Sequence, residues 1–239
     1  MNNRDPLMPP EYFVKRLEYI DESIASRLAK LRDQPEVYKK PQAFLRANFR
    51  DRYEQVFMGY SLGEDVRELA RRFPAVVDAY EAHIRGPGMT PHVFSDLDRY
   101  LVSLWLVSFA LIFKVDDALW NRLLACIGNE GQDALYESLV ATLTPNRVQA
   151  KGLSHPKIFE PLFKAISAKG ESRDAFLKRY LKDWYGAFSN TYWHEAHKGP
   201  EGGGFFGYWA VEVAGVAAAF NMDDRAFRDM PYYPKDLVG

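Results

Sequence analysis

PEYFVKRLEYIDESIASRL, residues 10 to 28, decides how the rest of the chain is read. Phe13, Leu17, Ile20, Ile24 and Leu28 recur three or four positions apart, and Lys15, Arg16, Glu18 and Glu22 fall between them. At 3.6 residues per turn that spacing lays the apolar side chains along one stripe and the charges on the opposite face. Pro9 and Pro10 open this helix, where a missing N–H costs nothing, and Asp33-Gln34-Pro35 closes it. The same period recurs almost everywhere downstream, without the sustained alternation and turn pairs that mark strands and hairpins. The sequence therefore predicts an all-α protein, a multi-helix bundle of roughly nine to eleven helices in two packed helical halves.

Punctuation along the chain sets the expected boundaries. A second helix is expected from about Gln42 to Met58, ended by Gly59. Ser61 with Glu64 three residues later has capping-box spacing and should head a third helix, which Pro74 should kink or split and Arg85-Gly86-Pro87-Gly88 should stop. Ser95 is expected to cap the helix that carries LVSLWLVSFALIF (Leu101–Phe113), and Asp116 or Asp117 to start another reaching Ile127. Beyond Gly131 come a helix ending before Pro145, a polar loop, helices at about Lys157–Lys169 and Ser172–His194, a glycine loop, and a buried helix over Phe206–Phe220. The expected division is an N-terminal domain at 8–115 and a C-terminal domain at 116–238.

Composition narrows the function classes. The 239 residues are 47% hydrophobic, enough to bury a large core. Thirty-one basic side chains face 32 acidic ones, so no global charge holds a nucleic-acid backbone or an anionic membrane. The most apolar run is 13 residues long, whereas a membrane span needs about twenty. Cys126, the single cysteine, sits in the apolar run LLACIG and reads as a buried thiol in a reducing compartment. MNNRDPLMPPEYF lacks the features of a signal peptide, so the expected location is the cytoplasm.

The stretch YWHEAHKGPEGGGFFGYWAV (192–211) gathers histidines, a glutamate, three glycines and aromatics, and each has a chemical and a structural reading. A metal-hydrolase helix uses H-E-x-x-H, with histidines four apart; in His194-Glu195-Ala196-His197 they are three apart, and Gly199-Pro200 follows at once. Histidines at a helix end, bonding to loop and cap groups, are the simpler account. Gly202-Gly203-Gly204 lacks the preceding strand and the Lys-Ser or Lys-Thr of a phosphate loop, and reads as a flexible turn. Asp116-Asp117 and Asp223-Asp224 could be carboxylate pairs holding magnesium, but Asp116-Asp117-Ala118-Leu119-Trp120 lacks a later acidic partner, and capping, where carboxylates complement the dipole at a helix start, is the expected reading. Glu212 stands alone in the apolar GYWAVEVAGVAAAF, so it is either a tuned acid or a buried structural group, and the structural reading, with an arginine or a tyrosine hydroxyl as partner, is the one expected.

Two longer segments carry a resemblance. WYGAFSNTYWHEAHK (184–198) followed by FFGYWAVEVAGVAAAFNMDDRAFRDMPYYPKDLV (205–238) resembles the C-terminal domain of PoNi-type immunity proteins: an aromatic pair and histidine, then F-G-Y-W-A-x-E, D-D and P-Y-Y-P-x-D-L. FRDRYEQVFMGYSLGEDVRELARRFPAVVDAYE (49–81) resembles the N-terminal domain of the same family, most clearly at Tyr60-Ser61-x-Gly63-Glu64. Pro200 to Gly204 looks like a local extension of a link that is usually shorter. The resemblance implies an all-helical, cytoplasmic, non-enzymatic protein that neutralises a PoNe-type DNase toxin of the PD-(D/E)xK class by stoichiometric occlusion. It implies no cofactor or metal and no direct contact with nucleic acid or membrane, and it leaves a homodimer open. An inhibitor of a cationic, metal-bearing cleft gains from carboxylates and hydrogen-bonding aromatics, so the expected partner-binding residues are Tyr192, Trp193, His194, Glu195, His197, Asp223 and Asp224. The rival reading is a helical metal-dependent hydrolase built on His194, Glu195 and His197.

Overall fold

In the computed structural model, residues 3–86 and 92–238 are described; Pro87 and Gly88 of the expected stop signal lie outside them. Among the described residues there are nine α-helices and no strand, so the protein is an all-α multi-helix bundle. The helices are α1 (Pro10–Asp33), α2 (Gln42–Leu62), α3 (Val66–Ile84), α4 (Leu97–Ile112), α5 (Asp117–Ile127), α6 (Ala134–Val140), α7 (Pro156–Ser167), α8 (Gly170–Ala187) and α9 (Val211–Ala219). None of them is long and apolar enough to cross a membrane.

The helices form two compact units that interleave in sequence. The first comprises the described residues of Met1–Pro91 with Asp117–Cys126 and Glu195–Gly207. Its centre is α2, buried from Asn48 to Leu62 apart from Arg50 and the half-buried Arg52. Helix α1 lays Phe13, Ile20 and Ile24 onto α2, and α3 adds Leu69, Phe73, Val76, Val77 and Tyr80 at three- and four-residue spacing. Each such aromatic or branched side chain contributes about 1.5–3 kcal/mol by leaving water. Arg122 of α5 bridges Asp78 (2.7 Å) and Glu81 (2.6 Å) on α3.

The second unit comprises His92–Asp116, Ile127–His194 and Tyr208–Gly239. Helix α4 is buried on every face from Tyr100 to Ala110 and packs along α9, which is equally apolar. The two approach so closely that a Cβ on Gly215 would collide with Ser108, whose own Cα lies 2.8 Å from that point. Asp133 caps α6 through the Tyr136 N–H (2.9 Å), accepts from the Tyr100 hydroxyl (2.8 Å), and holds the Ser154 N–H (2.6 Å). One buried carboxylate thus ties α4, α6 and the loop before α7.

Several expected boundaries move. Helix α2 runs through Gly59 to Leu62, because Tyr60, Ser61 and Leu62 are all core residues. Ser61 is fully buried, with its hydroxyl toward the Phe206 carbonyl (3.3 Å), so the cap of α3 is Asp65, which accepts from the Arg67 N–H. Asp96, not Ser95, caps α4 through the Arg99 N–H. Helix α3 continues through Pro74, which lies on its exposed face. Helix α8 ends at Ala187, seven residues before His194, where Thr191 Oγ1 takes the Phe188 carbonyl (2.7 Å). Residues 205–210 are not helical, and α9 starts only at Val211.

Candidate functional site

The end of α8 and the chain after it decide what the signature stretch is. In the second unit, α8 presents Trp184 and Tyr185, the turn after it presents Trp193 and His194, and Tyr208 and Tyr232 arrive from the segments flanking α9. These rings form a ladder. His194 stacks on Tyr185 (centroids 4.2 Å apart, planes at 29°), and Tyr185 stacks on Tyr232 (5.6 Å, 14°). Tyr232 leans on Trp184 (5.1 Å), Trp184 stacks on Trp193 (5.3 Å), and Tyr208 touches both Tyr185 (5.0 Å) and Trp193 (5.7 Å). Trp184, Trp193 and Tyr208 are buried, whereas Tyr185, His194 and Tyr232 are half-buried and form the outer rungs. Offset and tilted ring pairs are favourable beyond the area they bury, which stabilises the ladder.

Tyr232 carries a backbone signal of its own. Its φ of 67° lies in the left-handed region, where a bulky residue is an outlier. The conformation is held by its carbonyl, which accepts from the Ala210 N–H (2.8 Å), and by the two ring contacts.

Behind the ladder lies Glu212, with no exposed surface. Its carboxylate accepts from the Trp105 indole of α4 (3.1 Å), the Tyr180 hydroxyl (2.9 Å) and the Trp184 indole (2.5 Å) of α8. Of the partners considered from sequence, the tyrosine is present and no ion pair with an arginine occurs among the described residues; two indoles join it. Burial pushes the Glu212 carboxyl up to about 6, against the lowering effect of its own backbone N–H and of the three side-chain donors. Burial beside this anion also raises the Tyr180 hydroxyl well above its ordinary value.

Of the other expected contact residues, Tyr192 is 47% exposed and Glu195 is exposed. Trp193, at 2%, supports the surface from below rather than forming it. The histidines do not share a helix face. Glu195 adopts φ 59°, and only a short 3-10 turn, Ala196–Lys198, follows. His194 stacks in the ladder of the second unit, while His197 meets Phe205 edge-on in the first (6.0 Å). Among the described residues no group of three or more His, Cys, Asp or Glu is placed to hold a metal ion.

The acidic turn is internally neutralised. Asp223 is exposed and pairs with Arg225, whose guanidinium holds the carboxyl down to about 2. Asp224 is buried and pairs with Arg228 (2.6 Å) and the Tyr233 hydroxyl (3.2 Å). Gly202 is not part of a loose turn: it is buried, with φ 81°, and its carbonyl and that of Phe205 face the Tyr12 hydroxyl (3.3 and 2.7 Å). Cys126 is buried, and burial raises its thiol to about 11.

The first unit also holds a groove over α2, between α1 and α3. One part, of about 250 Å³, is lined by Ile24, Leu28, Leu45, Asn48, Ala75 and Ala79 among others, and Arg52 and Ala75 connect it to a smaller polar part.

Trp193, His194 and Glu212 stand out in the sequence, whereas Tyr185, Tyr208 and Tyr232 do not stand out there as members of one ring ladder. Their signal was present in W-Y-G-A-F, F-G-Y-W and P-Y-Y-P, whose convergence only the tertiary fold reveals.

Comparison with known proteins agrees with this architecture. A family model described as "PoNe immunity protein (PoNi), N-terminal" matches residues 4–125, and one described as "PoNe immunity proteins (PoNi), C-terminal" matches residues 131–237. Protein PA2201 from Pseudomonas aeruginosa, known from a crystal structure, superposes over 99% of this chain and 90% of its own with a TM-score of 0.76. At 18% identity that likeness concerns the fold alone. No curated protein matches the chain.

Proposed function

This chain belongs to the PoNe immunity protein (PoNi) family, and from that premise we propose that it is a stoichiometric inhibitor of a cognate nuclease toxin of the PD-(D/E)xK class. The observation that carries the reading is the pair of family matches, which together account for nearly the whole chain.

The chemistry of the interior supports a binding protein rather than an enzyme. Glu212 and Asp133 each hold three donors, and Asp224 holds Arg228 and Tyr233, so these three buried carboxylates are engaged in the framework. Inhibition proceeds by occlusion: a DNase presents a cationic cleft to phosphate, and the inhibitor covers it with aromatic and acidic groups. The proposed contacts with the toxin are Tyr192, His194 and Asp223 in the second unit, where Trp193 stacks on Trp184 and Asp224 pairs with Arg228, and, separately, Glu195 and His197 in the first. The protein acts in the cytoplasm, where the chromosome must be protected.

The test is plasmid degradation by a purified cognate PoNe-type nuclease, with rising amounts of this protein. Degradation should stop near one equivalent, and calorimetry should give one-to-one binding. Full nuclease activity in the presence of a tenfold excess of folded protein would overturn the proposal.

A further inference from the structure

The partner's chemistry can be narrowed from the ladder and what lies behind it. Glu212 is a fully buried carboxylate whose three side-chain donors are all neutral, and among the described residues no lysine, arginine or histidine forms an ion pair with it. In a low-dielectric interior an anion without a counter-ion acts over a longer range than the same charge in water. One of its donors, Trp184, is itself a rung of the ladder, so the negative charge abuts the ring stack whose outer members are His194, Tyr185 and Tyr232. Aromatic faces already attract cations through their quadrupole, and a carboxylate accepting from an indole N–H enriches that face further. The unfavourable backbone of Tyr232 holds one outer ring in place, and strain of this kind clusters at ligand clamps.

We propose that His194, the ring that ends the His194–Tyr185–Tyr232 ladder of the second unit, is the receptor for a basic side chain of the nuclease, an arginine stacking its guanidinium on the outward face of that ring. The choice of arginine follows from the planar face on offer: a guanidinium stacks on rings and is weakly hydrated, whereas an ammonium keeps its water. The commitment to a cation follows from charge, since the anion behind the rings lacks a partner of opposite sign. This inference takes the identity of the partner from the immunity reading, but the surface can be tested without it.

A hexa-arginine peptide, with hexa-lysine and hexa-glutamate as controls, is titrated into the full chain while the aromatic ring signals of Tyr185, His194 and Tyr232 are followed by NMR. Hexa-arginine should shift these three, hexa-lysine should do so more weakly, and hexa-glutamate should not. His194→Ala should weaken the response roughly tenfold and His194→Phe, which keeps a ring face, should preserve it, both variants having the wild-type circular dichroism. The same two variants are then measured against the nuclease, with the same loss for His194→Ala and retention for His194→Phe expected. Unmoved ladder signals, or equal losses in both His194 variants, would overturn the proposal. Arginine binding at the ladder by a chain that neither binds nor inhibits the nuclease would uphold the surface and overturn the immunity reading instead.

Discussion

Replacing Glu212 with glutamine isolates the buried carboxylate, because the side chain keeps its shape and one acceptor but loses its charge. In the folded protein Glu212 holds its proton up to about pH 6, against 4.5 for an ordinary glutamate. Between those values the native state binds more protons than the unfolded state, so stability falls as pH rises through the window and is constant above and below it. A shift of about 1.5 units corresponds to about 2 kcal/mol. Glutamine does not titrate, and all other groups cancel in the difference between the two proteins. The unfolding free energy of Glu212→Gln should therefore gain about 2 kcal/mol on the wild type between pH 4 and pH 7, whatever constant offset the amide introduces. With a urea m-value near 3 kcal/mol/M, that is a relative midpoint shift of roughly 0.7 M. Urea unfolding followed by tryptophan fluorescence at pH 4, 5, 6 and 7 measures it, since Trp105 and Trp184 report on the carboxylate they contact. A difference that stays flat over this range, or moves in favour of the wild type as pH rises, would refute the claim that desolvation outweighs the three donors.

Other consequences follow from the same contacts. Gly202→Ala places a Cβ 2.5 Å from the Tyr12 ring and 2.9 Å from the Met8 methyl at a φ of 81°, and should lower stability by about 2 kcal/mol in thermal unfolding. Asp133→Ala removes the acceptor for Tyr100, Tyr136 and Ser154 and the cap of α6; a loss of about 3 kcal/mol in urea unfolding is expected, and a loss below about 1 kcal/mol would contradict the account. Cys126, buried and with its thiol raised to about 11, should resist a thiol-reactive dye in the native protein and react at once in denaturant.

How far these features can be read from the sequence depends on the range of the interactions that set them. The stripe Phe13-Leu17-Ile20-Ile24 is local, and α1 forms where the spacing predicts it. Capping is local too, but Ser61 and Asp65, like Ser95 and Asp96, are both competent caps a few residues apart. Packing chose between the first two by burying Ser61 in α2. The ends of α8 and α9 are misplaced because their aromatic flanks suit a helix as well as a packed turn; Thr191 and the Ala210–Tyr232 bond, one local and one distant, decide them. Glu212 stands out in sequence as a charge in an apolar run. Its donors lie 28, 32 and 107 positions away, so the carboxylate was visible and its surroundings were not.

The close pairing of α4 with α9 also has a temporal side. Helix α4 is buried all round from Tyr100 to Ala110 in the finished protein, yet the 99 positions from Ile112 to Val211 separate it from its partner. At translation speeds of 5–20 residues per second, the ribosome needs about 5 to 20 s to supply α9 after α4 is made. During that interval a nascent chain carries an uncovered thirteen-residue apolar segment, which makes newly synthesised molecules candidates for chaperone capture and leaves a delay before each one can take up its fold.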